Sequence, residues 1–323
     1  MGSWPRVVLF SWIFIVLFGA ARAIAQEDPA RFPTRPINFI IPIPPGGPTD
    51  LAFRLLCREA EKVLGKPFVV VNKPGAGQSI GMAAIAVAKA DGYTIGQSGN
   101  SGLLLVPHME KVPYDPQKDF RQIIQCGGFN FGVFVKADSP FRGFEDVIAY
   151  ARKNPRKLTF GSTVNSIQYL VMEQVARKER VELTHMPFKG TPEVEAAVLG
   201  GHVQVGVGDF SYSLVEAGQT RLLLLLREEK SAEYPRTPIM KDLGYADVPT
   251  PYYLGVCGPR AIPDPIVKKI EDAFAKGMKE QAVINGMKEL RLPIIYRGSK
   301  DLETYVRLNY EIFGKLYKAF EKK

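Results

Sequence analysis

The sequence predicts an α/β protein of two hinged lobes, and three observations predict it. From Ile37 onward, short apolar β-favouring runs alternate with helical periodicity, as in a parallel sheet flanked by helices. A second strand-helix series starts afresh near Phe129. A return crossing at residues 248–259 and two long helical stretches then close the chain.

Each element has its own signal. Residues 37–43 read as a strand, and Leu51, Leu55, Leu56, Val63 and Leu64 fall on one helical face that Gly65 ends. Residues 68–71 form a continuous β-favouring run, expected to be a strand buried on both sides. NKPGAGQSIG leads into a helix expected to turn Ile80, Ala84, Val87 and Ala88 inward, and Asp91-Gly92 turns into a third strand at Tyr93. In the second series, residues 166–180 are helical and 181–188 a strand. KGTPEVEAAVLGG reads as a short helix with Thr191 as N-cap, Pro192 at its first position and Gly200-Gly201 as its stop. Residues 203–207 and 221–226 are two more strands. The last helix carries Leu302, Tyr305, Val306, Ile312, Phe313, Leu316, Tyr317 and Phe320 at i, i+3, i+4 spacing. The expected organisation is a leader at 1–25, a first lobe at 26–130 completed by 251–323, and a second lobe at 131–250.

Arg6, the apolar run at 7–20 and Ala23-Ile24-Ala25 make that leader a secretory signal peptide, cleaved before Gln26. The formal charge of +9 falls to +7 without Arg6 and Arg22. No block of five like charges and no basic stripe interleaved with aromatics occurs, so small anions fit as partners and nucleic acid does not. Cys57, Cys126 and Cys257 are too few and too scattered for a disulfide framework. Buried thiols are expected, with a Cys57–Cys126 pair as the alternative.

Enzyme motifs are missing. GAGQSIG (residues 75–81) has the spacing G-x-G-x-x-x-G, and no acidic residue ends a second strand where a ribose partner would stand. There is no G-x-x-x-x-G-K-[ST] and no G-x-S-x-G, and His108, His185 and His202 lie far apart in sequence without H-E-x-x-H. No cofactor, metal or catalytic set is therefore assigned, and His185 and His202 read as ordinary strand or turn residues.

What recurs instead is the strand-to-helix turn dressed for an anion. Pro44, Pro45, Gly46, Gly47 and Pro48 precede Thr49 and Asp50; Gly75 and Gly77 precede Gln78 and Ser79; SGNSG (98–102) follows the third strand. GSTVNS (161–166) and Lys189-Gly190-Thr191 repeat the arrangement in the second lobe. A helix start offers unpaired N–H groups and about half a positive charge. Capping alone explains one such turn, whereas five would converge on a cleft that takes a carboxylate or phosphate.

The residues also carry a resemblance. PTRPINFIIPIPPGGPTDLAFRLL, GKPFVVVNKPGAGQSIG, ADGYTIGQSGNSG, VPYDPQKDF and HMPFKGTPEVEAAVLGGHVQVGVGD, in this order, closely resemble the substrate-binding proteins of tripartite tricarboxylate transporters, the Bug family. The resemblance implies a two-lobe periplasmic binding protein (type II, Venus flytrap) with a ligand cleft between the lobes. It also implies a small organic acid as ligand, membrane permease subunits as partners, no enzyme activity and a monomer. A sensor of the same fold, signalling through a partner protein, is the alternative.

Carried over by the resemblance, Pro45, Gly46, Gly47, Thr49 and Asp50 belong to a loop that grips one ligand carboxylate through backbone groups and ordered water. Gly77, Gln78, Asn100 and Ser101 complete the first-lobe side; Ser162, Tyr169, Gly190, Thr191 and Asp209 form the second. The chain departs from the family pattern at Gln78 (a second glycine elsewhere), Tyr169 (often histidine) and Gly208-Asp209 (often Asp-Asn). No arginine lies in the matched cleft segments, so backbone dipoles are expected to meet the ligand's charge; Arg54 is read as a solvent-facing helix residue.

Overall fold

A computed structural model describes residues 29–321 except 130, 165, 228–229, 232, 247 and 249–251. The expected signal peptide lies outside the described residues. No helix among the described residues is long and apolar enough to cross a membrane.

Two mixed sheets organise the chain. The first has the order β11-β4-β10-β3-β1-β2, from β1 (Ile37–Ile41), β2 (Phe68–Asn72), β3 (Thr94–Ser98), β4 (Phe120–Gly128), β10 (Tyr253–Pro259) and β11 (Ile294–Gly298). The second, β7-β6-β8-β5-β9, uses β5 (Phe131–Lys136), β6 (Thr159–Thr163), β7 (Thr184–Phe188), β8 (Val205–Asp209) and β9 (Thr220–Leu225). β1 runs parallel to β2 and β3, and β6 parallel to β7 and β8. β10 is antiparallel to both β3 and β4, and β5 to both β8 and β9.

Those directions position the turns. β1, β2 and β3 release the chain at one end of the first sheet into α1 (Pro48–Leu64), α2 (Ser79–Ala86) and α3 (Asn100–Leu104), the last followed by α4 (Val106–Met109). β4 leaves, and β10 enters, at that same end. In the second sheet, β6 and β7 lead into α6 (Ile167–Glu179) and α7 (Thr191–Leu199), after α5 (Phe144–Lys153). Phe131, at the start of β5, pairs with Asp209 at the end of β8, so the crossing chain joins the turn-bearing ends of both sheets. Ligands of open α/β sheets bind outside the carboxyl ends of strands.

The first lobe's core sets β1 against α1, α9 (Asp264–Gly277) and α10 (Gln281–Glu289), where Phe39, Phe53, Phe68 and Phe274 pack within 5.3–6.1 Å ring to ring. Burying such rings supplies most of the drive, about 1.5–3 kcal/mol for each side chain. A second cluster joins Met82, Leu103, Leu302 and Phe313, under α11 (Ser299–Glu321), to the core of the other lobe through Tyr252 and Tyr253. The short α8 (Tyr212–Glu216) follows β8. Cys57, Cys126 and Cys257 are buried free thiols.

Several packing expectations need correction. α1 buries Phe53, Leu56, Cys57 and Ala60 and exposes Leu51 and Val63, because this second i, i+3, i+4, i+7 stripe carries the aromatic ring that meets Phe39. β2 is the outermost strand, so Val69 and Val71 face solvent rather than a second layer. α2 turns Met82 and Ile85 inward and leaves Ile80 and Val87 52% and 80% exposed. Gly81 sets that rotation: a Cβ there would lie 2.6 Å from the Pro42 side chain, so this face lies against the β1 turn. Ile312 of the last helix is likewise exposed. Finally, Gly190, not Thr191, is the N-cap of α7, and Gly47 that of α1, which places Thr49 and Thr191 inside their first turns.

Candidate functional site

The turn between β1 and α1 is built around Asp50. Gly46 takes φ +90°, a conformation that favours glycine, and its N–H donates to Asp50 Oδ2 at 2.9 Å. Arg54 Nε, one helical turn on, donates to the same oxygen at 2.9 Å, and Asn72 Nδ2 donates to Oδ1 at 2.8 Å. Arg54 also donates to Asn72 Oδ1 at 2.7 Å, and Asn72 Nδ2 reaches Ile43 O at 3.0 Å. Burial pushes the Asp50 carboxyl up, but the bonds from Arg54, Gly46 and Asn72 outweigh it and hold the pKa below the usual value. The Asp50 side chain is thus a staple that fixes the turn to β2, while its backbone belongs to the loop expected to grip the ligand. Arg54, expected in solvent, is the partner of that side chain. The turn leaves the N–H groups of Gly47, Thr49 and Asp50 without an acceptor among the described residues, and the Thr49 hydroxyl likewise.

The second turn is held in an unusual backbone. Gly75, Ala76, Gly77 and Gln78 take φ of +126°, +43°, +58° and +80° in succession. Gly77 has no alternative, since a Cβ there would lie 2.6 Å from Val106 Cγ2. Gln78 then directs its Oε1 at the start of α3, accepting from Ser101 N at 3.0 Å and Gly102 N at 3.3 Å. This side chain thereby occupies the N–H groups that open α3. Asn100 is also committed, pairing with both the N–H and the C=O of Tyr253 at 3.3 and 2.9 Å. Of the α3 residues expected at the ligand, Ser101 alone keeps an unclaimed side-chain hydroxyl.

In the second lobe, Ser162 is wholly buried and its hydroxyl lies 2.8 Å from His185 Nε2. The His185 ring packs against both Phe160 and Tyr169, at 4.9 and 4.4 Å, and those two rings lie 6.4 Å apart. Ser162 is therefore a support for the histidine rather than an exposed donor. His185, read from sequence as an ordinary strand residue, holds the face on which Tyr169 rests; burial lowers its pKa and keeps it neutral. Ser166 caps α6 by accepting from Tyr169 N at 3.3 Å. The Tyr169 and Thr191 hydroxyls have no partner among the described residues. Asp209, at the last position of β8, accepts from Phe210 N, and burial raises its pKa to about 7, with Glu195 adding to the shift. A carboxyl in that range can donate a proton to a ligand oxygen as readily as accept one.

Five turns thus stand at the carboxyl ends of parallel strands. They offer backbone N–H groups, the hydroxyls of Thr49, Ser101, Tyr169 and Thr191, and Asp209. Among the described residues, no group of three or more His, Cys, Asp or Glu is arranged to hold a metal.

Comparison with known proteins identifies the family and the fold. Residues 52–321 match the family described as the tripartite tricarboxylate transporter family receptor. A Cupriavidus necator protein named for its place in the gbd 5′ region is 40% identical over 262 residues, covering 80% of each chain. The protein BugT of Bordetella pertussis is 28% identical over 284 residues, covering 86% of each. Among solved structures, one described as a periplasmic transporter superposes with a TM-score of 0.79 at 26% identity, over 89% of this chain and 97% of its own. An R. palustris protein solved with adipate superposes with a TM-score of 0.76 at 26% identity and the same coverage. The chain belongs to the tripartite tricarboxylate transporter receptor family, and its fold is shared by the periplasmic binding protein BugD, with a TM-score of 0.74 over 89% of this chain.

Proposed function

We propose that the protein is a periplasmic receptor that closes on a small carboxylate between its two sheets and hands it to the permease subunits of a tripartite membrane transporter. The observation that carries this reading is the placement of all five turns at the carboxyl ends of strands joined by the crossing chain. The adipate found in a 26%-identical relative supports a dicarboxylate as ligand class. The receptor is exported with cleavage before Gln26, acts as a monomer and performs no chemistry on its ligand. Its lobes divide at 130/131 and 250/251.

One ligand carboxylate meets the open N–H groups of the first turn with Thr49 and Ser101, and its other end is read by Tyr169, Thr191 and Asp209. Arg54 plays no part, being bound to Asp50 and Asn72. A thermal-shift screen of mono-, di- and tricarboxylates tests this reading, since a ligand at 100 times its Kd stabilises by about 2.7 kcal/mol. A dicarboxylate of adipate-like length should give the largest shift. No shift with any carboxylate, or turnover of a bound acid into product, would overturn it.

A further inference from the structure

Strand β8 ends on a carboxyl that is only half committed. Asp209 is partly exposed; its Oδ1 accepts from Phe210 N at 3.1 Å, while Oδ2 has no partner among the described residues. Glu195, on α7, is fully committed instead: Oε1 accepts from Ser211 N, and Oε2 from Ser211 Oγ at 2.8 Å. The Glu195 charge bears on Asp209, and no cation pairs with Asp209 among the described residues.

The elements packed around Asp209 limit what else can reach it. Phe131 of β5 pairs with it across the sheet. A Cβ at Gly208 would lie 4.0 Å from Gln168 Cγ, so the first turn of α6, which carries Tyr169, lies against the end of β8. Of the other titratable groups at these turns, Glu193 accepts from Lys189 N at 3.0 Å, and His185 is neutral and held by Ser162. The Tyr169 and Thr191 hydroxyls can donate to an oxygen. Such donors suit a carboxylate better than an ammonium group. Yet a ligand carboxylate brought here adds negative charge where burial already raises the Asp209 pKa to about 7. Two carboxyl groups sharing one desolvated site hold a proton between them rather than both ionising.

We infer, on the footing of the proposed dicarboxylate ligand, that Asp209 sets specificity by taking the ligand's second carboxylate through one shared proton, donated from Oδ2–H to a ligand oxygen. That proton enters from solvent with the ligand and returns to solvent on release. A ligand with an ammonium group at the same end would do the opposite, driving Asp209 to its charged form and expelling a proton. The sign of the proton exchange therefore reports which end group the site takes.

The test is calorimetry on the mature chain at pH 8 in buffers of different ionisation enthalpy, which counts the protons bound. The probes are the linear dicarboxylates from succinate to suberate, hexanoate with its single carboxylate, and 6-aminohexanoate. The tightest dicarboxylate should take up close to one proton and bind more tightly than hexanoate. Its affinity should fall about tenfold per pH unit above the free Asp209 pKa of about 7 and level off below it. Asp209→Asn, which keeps a donor, should still bind that acid, with no proton uptake and no such slope. Glu195→Gln removes the neighbouring charge and should move the onset of the slope to lower pH. The wild-type proton count decides the matter if a variant does not fold. A count near zero, hexanoate binding as tightly as any dicarboxylate, or 6-aminohexanoate binding tightest with proton release would each overturn the inference and leave the carboxylate receptor standing. No binding by any of these acids would also overturn it, and the broader thermal-shift screen then judges the receptor reading separately.

Discussion

Replacing Asp50 tests whether the first turn is held by its carboxylate or merely shaped by its glycines and prolines. Asp50→Ala removes acceptors from Gly46 N, Arg54 Nε and Asn72 Nδ2, at 2.8–2.9 Å in a side chain 2% exposed. Hydrogen bonds to a charged group contribute about 1.5–3 kcal/mol each when buried. The Arg54 side chain is 41% exposed and can rehydrate, so its share falls to that of a surface pair, about 0–1 kcal/mol. Asn72 keeps its bond to Ile43 O, which limits its loss as well. The expected total is about 2–4 kcal/mol. Because the folded pKa of Asp50 is depressed, its stabilising effect is present above the unfolded value near 3.9 and disappears as pH falls through the lower folded value. Melting followed by circular dichroism should therefore show a wide gap between wild type and Asp50→Ala at pH 7 that narrows below pH 4. Asp50→Asn, which keeps one acceptor toward Gly46, should fall between the two. A variant as stable as wild type at pH 7, or a gap that does not change with pH, would refute the staple.

Three further outcomes follow from the same geometry. Thr49 caps nothing but is buried, so Thr49→Ala should cost about 1 kcal/mol, close to one buried methyl, yet weaken carboxylate binding in calorimetry; unchanged affinity would remove it from the ligand. Gln78→Gly frees the Ser101 and Gly102 N–H groups and relieves a left-handed residue, losses of about 0.5–1.5 kcal/mol per bond being set against about 1–2 kcal/mol of relief. Its stability should stay close to wild type while preference shifts toward ligands with an added carboxylate, and an unaltered ligand profile would count against the plug. Asp209, with a folded pKa near 7, stabilises below its unfolded value near 3.9 and loses that effect as pH rises from there through 7; Asp209→Asn should melt above wild type at pH 8.5, by a gap that narrows steadily as pH falls toward 4. A constant offset across that range would show that burial does not raise its pKa.

The two-lobe α/β plan was legible because its signals are local. Proline and glycine punctuate each strand end, whereas the Asp50–Arg54 pair, four residues apart on a helix, is missed in the sequence because Arg54 reads there as solvent-facing. Which face a helix buries was not local. In α1 two apolar stripes compete, and the choice between Leu51 and Phe53 is made by Phe39 in another element. The edge position of β2 depends on the order in which distant strands pair, which no feature of residues 68–72 reveals. At the candidate site the residue types were readable, but their commitments were not. Asn72 reaches Asp50 across 22 positions, and Ser162 reaches His185 across 23. Without those partners, a polar side chain in a turn looks the same whether it faces the ligand or holds the turn.

That division between holding and offering gives the site its chemistry. Asp50, Gln78, Asn100 and Ser162 spend their polar atoms inside the protein, each bonded to a neighbouring strand or helix start. Fixing the turns before a ligand arrives reduces the ordering cost of binding. The groups left over are neutral: backbone N–H donors, four hydroxyls and a carboxyl poised between its two forms. A free guanidinium at these turns would need a partner each time the lobes part, because a charge left beside an apolar wall is costly without one. Dipoles need none, since water can meet them in the open form at little cost. The one arginine built into the first turn, Arg54, is neutralised by Asp50 whether the cleft is open or closed. The proposed hand-over of a ligand to a second protein would be served by this arrangement: each contact would be modest, several would be required together, and separating the lobes would break them as a set.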